Sequence, residues 1–90
     1  MNLQLHIDDD IAQGLYANFA VVNHTPTEFM LDFVFMQPQQ PRGKVLSRVI
    51  TSPVHAKRFM LALTENMKKY ERQFGEVKLP KAKPTEPVLH

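Results

Sequence analysis

The stretch Glu28–Ile50, EFMLDFVFMQPQQPRGKVLSRVI, decides the fold. Two apolar runs flank a loop rich in Pro and Gln, the pattern of two strands folded back on each other. Placing Met36 opposite Lys44 fixes every other pair, because side chains alternate between faces along a strand. Asp32 then stands across from Arg48, Met30 from Ile50 and Val34 from Leu46. The other face sets Phe29, Leu31, Phe33 and Phe35 against Thr51, Val49, Ser47 and Val45. One face is nearly pure hydrocarbon, and the other is apolar with a charge pair at its centre.

Upstream, GLYANFAVVNH (14–24) supplies a third strand. With Asn23 facing Phe29, Val21 meets Leu31, Phe19 meets Phe33 and Ala17 meets Phe35; a slip of one residue puts Asn18 among the phenylalanines. The HTPTE connection is short and holds Pro26, as a hairpin loop should. Further upstream, Leu3, Leu5 and Ile7 alternate with polar residues, which predicts a short edge strand. Asp8, Asp9 and Asp10 end it in a solvated turn, since they lack the spacing, glycine and distal glutamate of a calcium loop. In the QPQQPRG loop, Pro38 and Pro41 have the spacing of a polyproline motif, but within a hairpin they read as a turn.

Downstream, Ser52-Pro53 marks a helix start, with Ser52 as N-cap and Pro53 in the first helical position, where a missing N–H costs nothing. Ala56, Phe59, Met60, Leu63, Met67, Tyr70 and Phe74 form one stripe, and Gly75 supplies the stop. Lys57, Arg58, Glu65, Lys68, Lys69 and Arg72 occupy the other side, with Glu65 and Lys69 in the favourable i, i+4 order. Without Phe59 the stripe is a heptad seam, stepping alternately by four and three. A seam this short reads as packing on the sheet rather than as a coiled coil, and Phe59 broadens it in that direction.

The helix covers one face of the sheet, so the face around Asp32 and Arg48 remains apolar and open, which predicts self-association through a second copy. A single small domain fits that expectation, because 90 residues bury a modest share of their surface. Hydrophobic residues at 43% and charged ones at 22% are globular values. The net charge of +2 hides an asymmetry: five acids and no Lys or Arg precede Arg42, and from Arg42 onward there are eleven bases against four acids. Three of those bases, Lys78, Lys81 and Lys83, sit in a Pro-rich tail, so the basic balance carries little weight for nucleic-acid binding.

Chemistry is absent from the pattern. With no cysteine there is neither a disulfide nor a thiolate metal site, and the four histidines, His6, His24, His55 and His90, fall in separate elements without ligand spacing. Glycines sit singly, so there is no phosphate loop, and Ser47 and Ser52 have structural positions rather than a neighbouring base. The expectation is a protein with no catalytic residues, no cofactor and no metal. The N-terminal MNLQLHIDDD has neither a basic region nor an apolar core of signal-peptide type, which predicts a cytoplasmic chain.

GLYANFAVVNHTPTEFMLDF, KVLSRVITSPVHAKRFMLALTENMKKYE and the following FGE resemble the bacterial domain-of-unknown-function family 3467, in a form found in the Bacteroidota. The likeness spans about Gly14 to Glu76, with RVITSPVHAKR its most specific run, and leaves the N-terminal segment and tail outside. It implies a small α+β protein without known catalysis. Gene neighbourhood in that group, beside the large RNA polymerase subunits, implies an accessory protein of the transcription machinery.

The expected architecture is therefore α+β: an antiparallel meander of three to four strands followed by one long C-terminal helix packed on the sheet. Residues 1–76 form the domain and 77–90 an extended tail. The expected function is a non-enzymatic protein-binding factor associated with RNA polymerase subunits, with nucleic acid met only indirectly. The expected contacts are Met30, Met36, Leu46 and Ile50 on the sheet, and Arg58, Lys68, Lys69 and Arg72 on the helix. Asp32 and Arg48 are the expected structural ion pair. The alternatives are a homo-oligomeric, chaperone-like peptide binder and a weak nonspecific DNA binder.

Overall fold

A computed structural model of the chain describes residues 2–80. A single helical turn, α1 (Asp9–Ala12), precedes strands β1 (Phe19–His24), β2 (Phe29–Met36) and β3 (Gly43–Thr51), and the long helix α2 (Pro53–Phe74) follows. The strands form one antiparallel sheet in the order β1-β2-β3. The expected class, a meander followed by a long helix, is the class observed.

The N-terminal edge strand is not formed. Leu3, Leu5 and Ile7 are exposed and outside any strand, and the aspartates open α1, where Ala12 N–H donates to Asp8 O at 2.8 Å. Alternation marks an amphipathic segment, but a strand also needs a neighbour to complete its ladder. β1 likewise begins at Phe19, five residues after Gly14.

Between β1 and β2 the register is one residue away from the expected one: His24 faces Phe29, Val22 faces Leu31 and Phe19 faces Val34. Two local devices produce the slip. At the turn, Thr25 N–H donates to Glu28 O at 2.9 Å, and the Thr25 hydroxyl accepts from the N–H of Thr27 and Glu28. That closes a four-residue loop where five were expected. At the other end, the Asn18 amide does not lie among the phenylalanine rings. Its Nδ2 donates to Met36 O at 3.0 Å and its Oδ1 accepts from Met36 N–H at 2.7 Å, while its own N–H donates to Val34 O. The side chain thus extends the ladder as a backbone unit would, which removes the objection to placing Asn18 there.

Between β2 and β3 the expected register holds from Phe29↔Thr51 to Phe33↔Ser47 and then shifts, so that Val34 faces Val45, Phe35 faces Lys44 and Met36 faces Gly43. The extra residue is Leu46. A β-bulge places it beside Tyr16, Phe35 and Lys44, on the phenylalanine side. Gly43 suits this arrangement, because a Cβ there would run into Met36 Sδ and approach Val34 Cγ1 to 2.9 Å.

α2 has the expected ends. Ser52 Oγ accepts from His55 N–H at 3.2 Å, Pro53 is the first residue, and Gly75, at φ +96°, donates its N–H to Glu71 O. At 22 residues the helix is about 33 Å long. Its first turns share an open cleft with the phenylalanine face, lined by Val22, Phe29 and Leu31 from the sheet and by Ala56, Met60 and Leu63 among others from the helix. Beyond that cleft the stripe is uncovered. Met67, Tyr70 and Phe74 are exposed, as are Phe59, Met60 and Leu63 at the cleft itself. Among the described residues only Asp32 and Val34 are buried, at 6% and 5% exposure.

Candidate protein-interaction surfaces

The sheet's second face is built around β2, the central strand. Asp32 and Arg48 are directly opposed across β2 and β3, and the pair is bidentate: Arg48 Nε donates to Asp32 Oδ1 at 2.7 Å and an η nitrogen to Oδ2 at 2.9 Å. The donated hydrogen bonds, more than the positive charge itself, hold the Asp32 carboxyl below the usual aspartate range against the opposing effect of burial. The same bonds raise Arg48. Arg48 reaches Asp32 from a side chain that is 57% exposed, so one partner is buried and the other faces solvent.

The register slip changes what surrounds this pair. Phe19 and Val21 join Met30, Val34, Met36 and Ile50 on the Asp32 face, while Ala20 and Val22, expected there, lie with Phe29, Leu31 and Phe33. Of the four apolar contact residues read from the sequence, Met30 and Met36 are half-buried on the Asp32 face and Ile50 is exposed on it. Leu46, half-buried, is carried to the opposite side by the bulge and does not belong to that surface. No local sequence signal marks a bulge at a leucine.

On α2, Arg58, Lys68, Lys69 and Arg72 are all exposed, as the pattern requires. Glu65 pairs with Lys68, Nζ to Oε1 at 3.8 Å, rather than with Lys69 as expected. Both groups are solvent-exposed, so this pair contributes little. The basic residues lie away from the apolar stripe, giving α2 two separate contact surfaces.

The cleft between α2 and the phenylalanine face has no counterpart in the sequence pattern. It measures about 590 Å³ and is almost wholly apolar, with Lys57 at its margin. Its existence follows from the helix standing partly off the sheet, which periodicity does not report. Nothing in these surfaces has the makings of a metal centre: among the described residues no three of His, Cys, Asp and Glu cluster. His24 stacks on Phe29 with ring centroids 5.4 Å apart, and His6 bonds Asp8 at 2.9 Å in full exposure. Among the described residues no helix is long and apolar enough to cross a membrane.

A three-stranded meander with a capped, largely unpacked amphipathic helix and a bidentate pair on its open face defines a small α+β protein. The chain belongs to the family described as "Protein of unknown function (DUF3467)", whose model matches residues 1–79. That match takes in the N-terminal segment, which the sequence likeness leaves outside. Among curated proteins and among solved structures, nothing matches.

Proposed function

We propose that the chain is a non-enzymatic protein-binding factor whose partner is RNA polymerase. One observation carries the protein-binding reading. The elements are individually well specified, yet they leave a capped helix with an apolar stripe in water and a sheet with just two buried residues. Apolar surface on this scale is characteristic of docking surfaces. The exposed Arg58, Lys68, Lys69 and Arg72 add a basic patch that steers the module toward acidic protein surfaces. The choice of polymerase is supported by the family likeness and the gene neighbourhood it implies.

The test is recovery of a tagged chain from its native host after nuclease treatment and a high-salt wash. Stoichiometric polymerase subunits are the expected result. Recovery lost on nuclease treatment would move the reading to nucleic acid, and recovery of the chain alone would remove the polymerase.

A chaperone-like peptide binder is the second reading, favoured by the outer edges of β1 and β3, which present ladder groups for strand addition. It predicts displacement of bound client by short extended peptides.

A further inference from the structure

The stripe of α2 reads the same in both directions. From Ala56 through Met60, Leu63, Met67 and Tyr70 to Phe74, the steps are four, three, four, three and four. Laid antiparallel against itself about a twofold axis level with Glu65, the seam brings Ala56 against Phe74, Met60 against Tyr70 and Leu63 against Met67. Each layer matches a smaller or flexible side chain with a larger or longer one, and the smallest residue meets the aromatic that is 66% exposed.

We propose that α2 pairs antiparallel with α2 of a second copy along this seam. The two halves of the stripe are then plug and socket. Ala56, Met60 and Leu63 already line the cleft, with Val22, Phe29 and Leu31 as its far wall. Met67, Tyr70 and Phe74 are the exposed remainder, and the Tyr70 and Phe74 rings already pack on each other at 4.9 Å between centroids. In the dimer, the second copy's Tyr70–Phe74 pair enters the cleft of the first, and the reverse occurs by symmetry. An isologous interface requires this kind of self-complementary patch.

Charge agrees with the pairing. Lys57 and Glu71 flank the seam on the same side, and antiparallel packing brings Lys57 of each copy beside Glu71 of the other. Glu71 accepts from Val77 N–H through Oε2, which leaves Oε1 for the lysine. At the centre, where the two copies place like residues together, Thr64 donates its hydroxyl to Met60 O within its own helix, and Asn66 donates one amide N–H to Ala62 O and keeps the other for the facing copy's amide or for water. Arg58, Lys68, Lys69 and Arg72 point away from the seam, so the dimer covers the apolar stripe but leaves the basic patch and the Asp32 face of the sheet free for a partner. From Met60 to Phe74 the stripe is 43–66% exposed and offers on the order of 500 Å² per copy, to which the half-buried sheet wall of the cleft adds, toward the roughly 800 Å² a stable interface buries on each partner.

The full chain tests this through its mass in solution by light scattering and sedimentation. A dimer at micromolar concentration is expected. Met67→Asp should yield monomer, while Lys68→Asp, one position along and outside the seam, should not. If Met67→Asp fails to fold, two further variants decide. Lys57→Glu should weaken the dimer about fivefold to tenfold, and adding Glu71→Lys should restore it. The chain has no cysteine, so oxidising a mixture of Ala56→Cys and Phe74→Cys chains should give the mixed disulfide dimer. Ala56→Cys alone should not cross-link, because those positions stand about 27 Å apart along the paired helices. A monomer, a dimer indifferent to Met67→Asp, or cross-linking by Ala56→Cys alone would each overturn the proposal, and none of them touches the polymerase reading.

Discussion

Asp32 and Arg48 show how much a single pair of residues discloses. Two charges set in register within apolar strands have one evident use for each other, and the structure places them in a bidentate bond across β2 and β3. Because hydrogen bonding from Arg48 lowers the folded-state pKa of Asp32 from 3.8, the unfolded chain takes up the proton first on acidification. The pair's contribution is therefore present above that value and is lost as pH falls through the lower folded one. Asp32→Asn should lower the thermal midpoint at neutral pH, and the gap from the natural chain should narrow below about pH 4. Melts of both chains down to about pH 2.5 measure this. An equal gap at every pH would mean that shape, not charge, is what the substituted amide fails to supply. Asn18 is the opposite case. Its polarity argues for keeping it away from the rings, and nothing in its identity announces that an amide can stand in for a peptide unit.

At the level of elements, strong local chemistry is readable and pairing is not. Ser52, Pro53 and Gly75 each act within a turn of chain, so the ends of α2 can be read directly. The β1–β2 register instead depends on whether a loop closes at Thr25–Glu28 or one residue earlier, and apolar alternation on both candidate faces leaves that choice open. The bulge at Leu46 is invisible for a related reason: Val45 and Leu46 are both acceptable opposite Val34. Asn18 is the clamp that holds the observed register at its far end. Asn18→Ala removes both of its hydrogen bonds to Met36 and should cost about 1–2 kcal/mol, seen as a lower urea midpoint. The sharper readout is hydrogen exchange, in which the Met36 amide should lose protection more than the Leu31 amide in mid-strand. Unchanged exchange at Met36 would show that the register holds without the clamp.

For the whole molecule, the missing information is what meets each apolar face. Periodicity identifies the side of α2 that is apolar, and a small domain has few surfaces besides its sheet to offer that stripe. The helix instead meets the sheet along a cleft near its start, and Met67, Tyr70 and Phe74 continue past it into solvent. The heptad spacing, too short to decide the matter from sequence, thereby gains weight, since the far half of the seam, Met67, Tyr70 and Phe74, is exposed. A helix of mixed sequence draws most of its stability from packing of its apolar face, so the stability of α2 depends on a cover for the stripe. If a second copy supplies it, folding and association are one process and the melting temperature follows chain concentration. Tenfold dilution removes about 1.4 kcal/mol from a dimer, and for a folded unit of two such chains that lowers the midpoint by roughly 3–5 °C. Circular dichroism at the helix band across a hundredfold range of concentration should show the shift. It should vanish in a chain locked by the Ala56→Cys and Phe74→Cys pairing, where unfolding no longer separates the copies. A midpoint independent of concentration in the natural chain would mean that α2 is stable by itself and that its stripe is reserved for another protein.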